Sequence, residues 1–191
     1  LFSMLPGSAP LKTGWIENNN LELNNAFLAI NNSGNDSSDE ISINTITELF
    51  SEYFGSNNGL RTFNSGVSAL ASIDSDNNLI INSEDNNWEK LLLWFDDGDA
   101  ISEINELYPV QDFLSSINLD TYEIMKSQPI WNNDNQIMGS VNVTSSDNLQ
   151  EQFKLFDVGL TINPSLESSL DLNVRSNNCL LYTSPSPRDR S

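Results

Sequence analysis

Histidine is absent from this sequence, and the single cysteine is Cys179. Those two absences remove Ser-His-Asp and Cys-His catalysis and most zinc or iron sites. Basic residues are scarce: eight Lys and Arg stand against 27 Asp and Glu, a formal charge of −19 with a pI near 4.1. A chain so acidic repels nucleic acid and anionic membranes, so neither is an expected partner. No run of about 18 apolar residues exists, so no transmembrane helix and no membrane insertion are expected. The first residues, Leu1–Pro10, have no basic n-region and no long apolar stretch, so they do not read as a signal peptide. Asp-Pro is missing too; the prolines follow Leu5, Ala9, Tyr108, Gln128, Asn163, Ser184 and Ser186.

Against these absences stand 38% hydrophobic and 9% aromatic residues. That content argues for a folded core and against an acidic disordered chain. Carboxylates on such a domain repel one another, and bound divalent cations relieve the repulsion. Cys179–Ser191, which includes CLLYTSPSPRD, resembles the translation of a sequencing-library adapter and is set aside from the fold. Setting it aside leaves six basic and 26 acidic residues and no thiol chemistry. The expected division is a truncated entry over 1–12, an α+β module over 13–163, a Ser/Asn-rich linker over 164–178 and the adapter-like tail over 179–191.

The densest chemistry lies between Asp74 and Leu107. Asp74, Asp76, Asn78, Asn82 and Asp85 fall at positions 1, 3, 5, 9 and 12 of an EF-hand-type loop. Position 7, which donates a backbone carbonyl, is Ile80. Ile81 at position 8 is expected to pair with a neighbouring loop. This spacing wraps six or more oxygens around one point, as a hard cation such as Ca²⁺ requires. A second, more compressed acidic loop follows, with Asp96, Asp97, Asp99, Ile101, Glu103 and Glu106 as its ligands. Between the loops, Trp88, Leu91, Leu92 and Phe95 recur at i, i+3, i+4 and i+7, which predicts a short amphipathic helix capped by Ser83.

Elsewhere, Ala26–Ile30 reads as a strand and Asn31–Glu40 as a polar loop. Thr13–Ile16 reads as a turn and strand. Ile41, Ile43, Ile46, Leu49, Phe50, Tyr53 and Phe54 fit a helix ended by Gly55. Val67, Leu70, Ala71 and Ile73 give another short helix, entering the first acidic loop. Val110–Leu114 adds a helical turn after Pro109. From Ile117 the pattern alternates with period two; strands are expected over Ile117–Glu123, Ile137–Thr144 and Phe153–Leu160, with a turn over Trp131–Gln136. Short helices flanking calcium loops, then a small antiparallel β-meander, make the expected fold α+β.

In order along the chain stand Thr13-Gly14-Trp15-Ile16, Glu48-Leu49-Phe50, the segment Gly66–Asp76, Trp94, and Ile101-Ser102 through Glu106-Leu107. This ordered set resembles the calcium-binding module of large secreted RTX-type bacterial proteins. It is most similar to the self-processing module of iron-regulated RTX proteins, over roughly Thr13 to Leu160. The resemblance implies bound Ca²⁺, a secreted or cell-surface location and further domains in a longer parent chain. It also implies a third acidic loop closing with Glu48, started either by Asn31, Ser33 and Asn35 or by Asp36, Ser38, Glu40 and Asn44. Three departures stand out. Leu79 occupies position 6, where the family has a glycine and the backbone turns through positive φ. The Asp96 loop is one residue short, and the loop before Glu48 carries an insertion.

Three functions remain open at this stage. The chain is a calcium-dependent structural module of an exported protein; or a calcium-activated module that cleaves an Asp-Pro bond, which this sequence lacks; or a metal-free adhesion or interaction domain. The acidic pair Glu103 and Glu106 also has glycosidase-like spacing, but no substrate-cleft signal surrounds it.

Overall fold

A computed structural model describes residues 26–32, 41–97, 99–126, 130–131, 135–146, 153–159 and 179–183. The expectations for Thr13–Ile16, for most of Asn31–Glu40 and for the 164–178 linker lie outside these residues.

Two antiparallel groups of strands carry the fold. The first contains β2 (Ile80–Asn82), β5 (Leu114–Ile124), β7 (Asn135–Ser145) and β8 (Lys154–Gly159), with β6 (Ile130–Trp131) beside β7. The second contains β1 (Ala26–Ile30), β3 (Leu91–Trp94) and β4 (Leu107–Pro109). The strand β9 (Cys179–Thr183) runs parallel to β8 on one side and β1 on the other. It joins the groups into one sheet, ordered β2-β5-β7-β8-β9-β1-β3-β4. The register is set by pairs such as Phe27↔Trp94, Trp94↔Leu107, Ile117↔Val143 and Val141↔Leu155.

The period-two stretches form because alternate residues have somewhere dry to go. Leu114, Ile117 and Leu119 of β5, Val141 of β7 and Leu155 of β8 enter one apolar cluster. The central strands have no polar face. On β1, Ala26, Leu28 and Ile30 enter this cluster, while Phe27 and Ala29 enter a second on the opposite side. On β3, Leu91 and Leu93 face the first and Leu92 and Trp94 the second. Strands covered on both faces read as continuous apolar runs.

That burial overturns the α+β expectation. Among the described residues the protein is mostly β, with one α-helix, α1 (Gly66–Ala71), and a few 3₁₀ turns. The helix expected over Trp88–Phe95 is a 3₁₀ turn, Trp88–Lys90, followed at once by β3. Its residues do not share one face: Trp88 and Leu91 point to the first cluster, Leu92 to the second. Four buried apolar residues in a row satisfy helical and strand spacing alike, and the waiting edges of β1 and β4 decide for the strand. The residue before the turn is Asn87, not Ser83. The helix expected up to Gly55 is likewise a 3₁₀ turn, Ile46–Glu48, and a series of tight turns. There Ile43, Ile46 and Leu49 serve the second cluster while Phe50 and Phe54 serve the first, which one helix face cannot do. Gly55 does stop the segment in a left-handed conformation, φ 64°. Among the described residues neither acidic loop is flanked by paired helices; α1 leads into the first and strands surround the second. α1 starts at a capping box, in which Ser65 Oγ accepts from Ser68 N at 3.2 Å and Ser65 N donates to Ser68 Oγ at 2.9 Å.

Candidate metal centres

The two acidic loops stand at the two ends of the strand order. The first, Asp74–Asp85, contains the edge strand β2; the second, Asp96–Glu106, links β3 to the opposite edge strand β4. Ile81 is fully buried and pairs with Ile117 of β5, so position 8 docks on the long strand and not on a neighbouring loop as expected.

In the first loop, Asp74 is buried at the base. Its Oδ2 accepts from Leu79 N at 2.9 Å and its Oδ1 from Asn78 N at 3.2 Å. Leu79 holds φ at +66°, the left-handed turn that position 6 requires, with half of its side chain in solvent. A β-carbon in that conformation costs about 1–2 kcal/mol, which a glycine avoids. Asn78 Oδ1 accepts from Ile80 N at 2.7 Å. The buried Asp85 closes the loop: Oδ1 accepts from Ser75 N at 2.6 Å and Oδ2 from Asn82 N at 3.0 Å. One carboxylate oxygen each from Asp74, Asp76 and Asp85 lie within 4.8 Å of one another.

The second loop repeats the scheme with one residue fewer. Asp96 Oδ1 accepts from Ala100 N at 2.9 Å, as Asp74 does from Leu79. Ala100 holds φ at +58° and so takes the position-6 role. Asp99 Oδ1 accepts from Ile101 N at 2.8 Å, as Asn78 does from Ile80. Glu106 closes the loop: Oε1 accepts from Asp97 N at 2.9 Å and Oε2 from Glu103 N at 3.4 Å. The missing residue therefore falls between Asp97 and Asp99. Oxygens of Asp96, Asp97 and Asp99 lie within 4.8 Å of one another; Glu103 and Glu106 are not in that three-residue group.

Both loops share one design. The inner acids at positions 1 and 12 are buried, and Asp76, Asp97 and Asp99 are exposed at the rim. Glu106 is 6% exposed and also accepts from the Trp94 indole Nε1 at 3.0 Å. Burial pushes its carboxyl up from the ordinary 4.5 to about 7, against the lowering effect of the Trp94, Asp97 and Glu103 hydrogen bonds. Away from the two loops, Asp157 is a further buried carboxylate, on β8, and accepts from Tyr122 OH at 3.2 Å. Burial, and then the Asp157 charge, push the Tyr122 phenol up to about 12.

Glu48 does not join an acidic cluster among the described residues. Its Oε2 accepts from Asn44 N at 2.8 Å and Thr45 N at 3.0 Å, so it closes a turn as Asp85 and Glu106 do. Residues 33–40, which would supply the rest of that loop, lie outside the described set. The segment is joined to the second loop: Ile43 N donates to Ser102 Oγ at 2.7 Å, and Ser102 Oγ donates to Ile43 O at 3.1 Å. Ser75 and Ser102 were not expected to have a part in the loops' contacts, because those parts are backbone and hydroxyl contacts that any polar residue signals equally.

The side-chain groups that could hold a metal are carboxylates in both loops, joined by the Asn78 and Asn82 amides in the first, a set that suits a hard cation and not a thiophilic metal. Fold and loops together define a mostly β domain with two acidic turn-forming loops at its sheet edges. The family model described as the SPM domain matches residues 5–160, and the chain belongs to that family. No curated protein matches it. Among the described residues no helix is long and apolar enough to cross a membrane.

Proposed function

We propose that the chain is a calcium-binding module whose two acidic loops couple Ca²⁺ binding to folding, within a longer exported protein. The observation that carries this reading is the repeated hydrogen-bond scheme. In both loops the position-2 and position-9 amides hold the closing acid, and the position-6 amide holds the first. Two loops of different length keep the same arrangement, which turns clustered carboxylates toward one point. In the first loop Asp74, Asp76, Asn78, the Ile80 carbonyl, Asn82 and Asp85 would hold the ion. In the second, Asp96, Asp97, Asp99, the Ile101 carbonyl, Glu103 and Glu106 would hold it. The ion supplies positive charge that offsets repulsion between buried carboxylates, so binding and folding are linked.

Calcium in secreted modules works at affinities of about 10⁻⁴–10⁻³ M. Such sites fill outside a cell and stay empty in calcium-poor cytoplasm, which fits a secreted or cell-surface location. Titrating the metal-free chain with CaCl₂ in a calorimeter should give saturable heat. Each site filled at a hundred times its Kd should add about 2.7 kcal/mol of stability. A chain with no heat and an unchanged melting temperature at about 10 mM Ca²⁺ would instead be a metal-free interaction domain.

A further inference from the structure

The sequence contains a single Asn-Gly step, Asn58-Gly59, and it lies in the turn that follows Gly55. Asn58 is exposed. Its Oδ1 accepts from Leu60 N at 3.1 Å, an Asx-turn. That bond closes a ring through Cγ, Cβ, Cα and the main chain of Gly59, so Cγ is held close to the Gly59 nitrogen. The Ser56 hydroxyl, on a buried residue, stands 3.3 Å from the same Oδ1 and 2.9 Å from Leu60 O. Gly59 holds φ at +74°, which a glycine adopts freely, and no β-carbon obstructs its nitrogen. Among the described residues no hydrogen bond occupies the Gly59 N–H. An electrophilic carbon and a nucleophilic nitrogen are thus placed together, as in a near-attack arrangement. Attack would drive negative charge onto Oδ1, where the Leu60 amide already points and the Ser56 proton can turn from Leu60 O. Donors aimed at developing charge speed such a step.

We propose that Asn58 is a self-modification site, whose side chain cyclises onto the Gly59 amide in the folded chain and reopens as aspartate or isoaspartate. The Gly59 N–H gives its proton to solvent, the nitrogen bonds to Cγ, and the Cγ–Nδ2 bond breaks as ammonia leaves. Water then opens the cyclic imide. Cleavage of the new N–Cγ bond leaves aspartate; cleavage at the Asn58 main-chain carbonyl leaves isoaspartate, with the chain rerouted through Cγ. Nothing is oxidised or reduced. Either product puts a carboxylate where a neutral amide stood. The change reaches the core, because Thr62 N and Phe63 N of the same turn donate to Glu52 O at 2.7 and 3.1 Å, and the Phe63 ring packs on that of Phe54.

The test incubates the full chain and a free peptide of residues 55–64 at mildly alkaline pH. Conversion at Asn58 is followed by peptide-map mass spectrometry and by an isoaspartate-specific methyltransferase. The folded chain should convert about fivefold or more faster than the peptide. Ser56→Ala should slow the folded chain about threefold or more and leave the peptide unchanged, while Ser56→Thr, which keeps the hydroxyl, should restore the rate. A folded chain that converts no faster than the peptide overturns the proposal. So does a folded Ser56→Ala chain with an unchanged rate. If Ser56→Ala does not fold, the comparison of unsubstituted chain and peptide decides.

Discussion

Raising the pH of the calcium-free protein forces a charge into the base of the second loop. Glu106 has its carboxyl raised from 4.5 to about 7, chiefly by burial. Between those values the unfolded chain has released this proton and the folded chain retains it. The folded state binds more protons, so stability must fall as pH rises. The stabilising contribution is complete below 4.5 and is lost as pH passes through about 7. At 1.36 kcal/mol per unit, the upper bound is about 3.4 kcal/mol. The exposed rim acids Asp97 and Asp99 let water screen the site, so about half of that is expected. The assay is urea unfolding in a chelator at several pH values across this window. General repulsion among 27 acids also weakens the fold as pH rises, so the comparison is with Glu106→Gln. The amide meets N–H donors from Trp94 or Asp97 whichever way it is turned, a cost of about 1–3 kcal/mol that does not change with pH. The variant should therefore be less stable at the low end of the window, with a shallower fall between about pH 5 and 7 that narrows the gap. Calcium should flatten the fall in the parent, because a cation favours the ionised carboxylate. Parallel curves for parent and variant would refute the reasoning.

Asp85→Asn keeps an acceptor for Ser75 but removes a charge and turns an amide toward Asn82 N; calcium affinity at the first loop, read by calorimetry, should fall about tenfold or more. Leu79→Gly should be more stable than Leu79→Ala by about 0.5–1 kcal/mol in urea unfolding, since both lose every side-chain atom beyond Cβ and only alanine keeps a β-carbon at positive φ. Gly139→Ala places a β-carbon 2.5 Å from the Tyr122 ring and should cost about 1–3 kcal/mol. The same change in a Tyr122→Ala background should cost clearly less in the same assay.

The strands with one solvated face were legible because their alternation has a single cause. Ile117 and Leu119 face the core and their neighbours do not. Of the strands covered on both faces, Ala26–Ile30 was legible as a strand and Leu91–Trp94 was not. Leu91–Trp94 has no polar phase to reveal its period, so a helix fits its spacing until β1 and β4 are placed beside it. The segment from Ile41 to Phe54 misled for a related reason: its apolar residues divide between two clusters on opposite sides of the sheet. The loops were more readable than the fold. The spacing of the acidic residues is local, and the demand for positive φ at Leu79 follows from its position in the turn. Ala100, the matching residue of the shorter loop, could not be placed without knowing where the missing residue fell.

The closing acids belong to the core as much as to the loops, through two tryptophans. The carbonyl of Asp85 accepts from Trp88 N at 3.2 Å, and the Trp88 side chain is buried in the first cluster. Glu106 accepts from the indole of Trp94, which packs in the second cluster with its ring 5.7 Å from that of Phe27. A cation that draws in Asp85 therefore acts on one side of the sheet, and one that draws in Glu106 acts on the other. Tryptophan emission should report both events during a calcium titration, and the two reporters separate them. Trp94→Phe deletes one of the donors that hold the Glu106 carboxylate charged, leaving Oε2 with the longer bond from Glu103 N. Its proton should become harder to remove, and the second loop should need more calcium or a higher pH. The first loop contains no atom of Trp94, so its transition should stay where it was. If Trp94→Phe moves both transitions equally, the loops do not act as separate sites, and the coupling runs through the strand β3 that joins them.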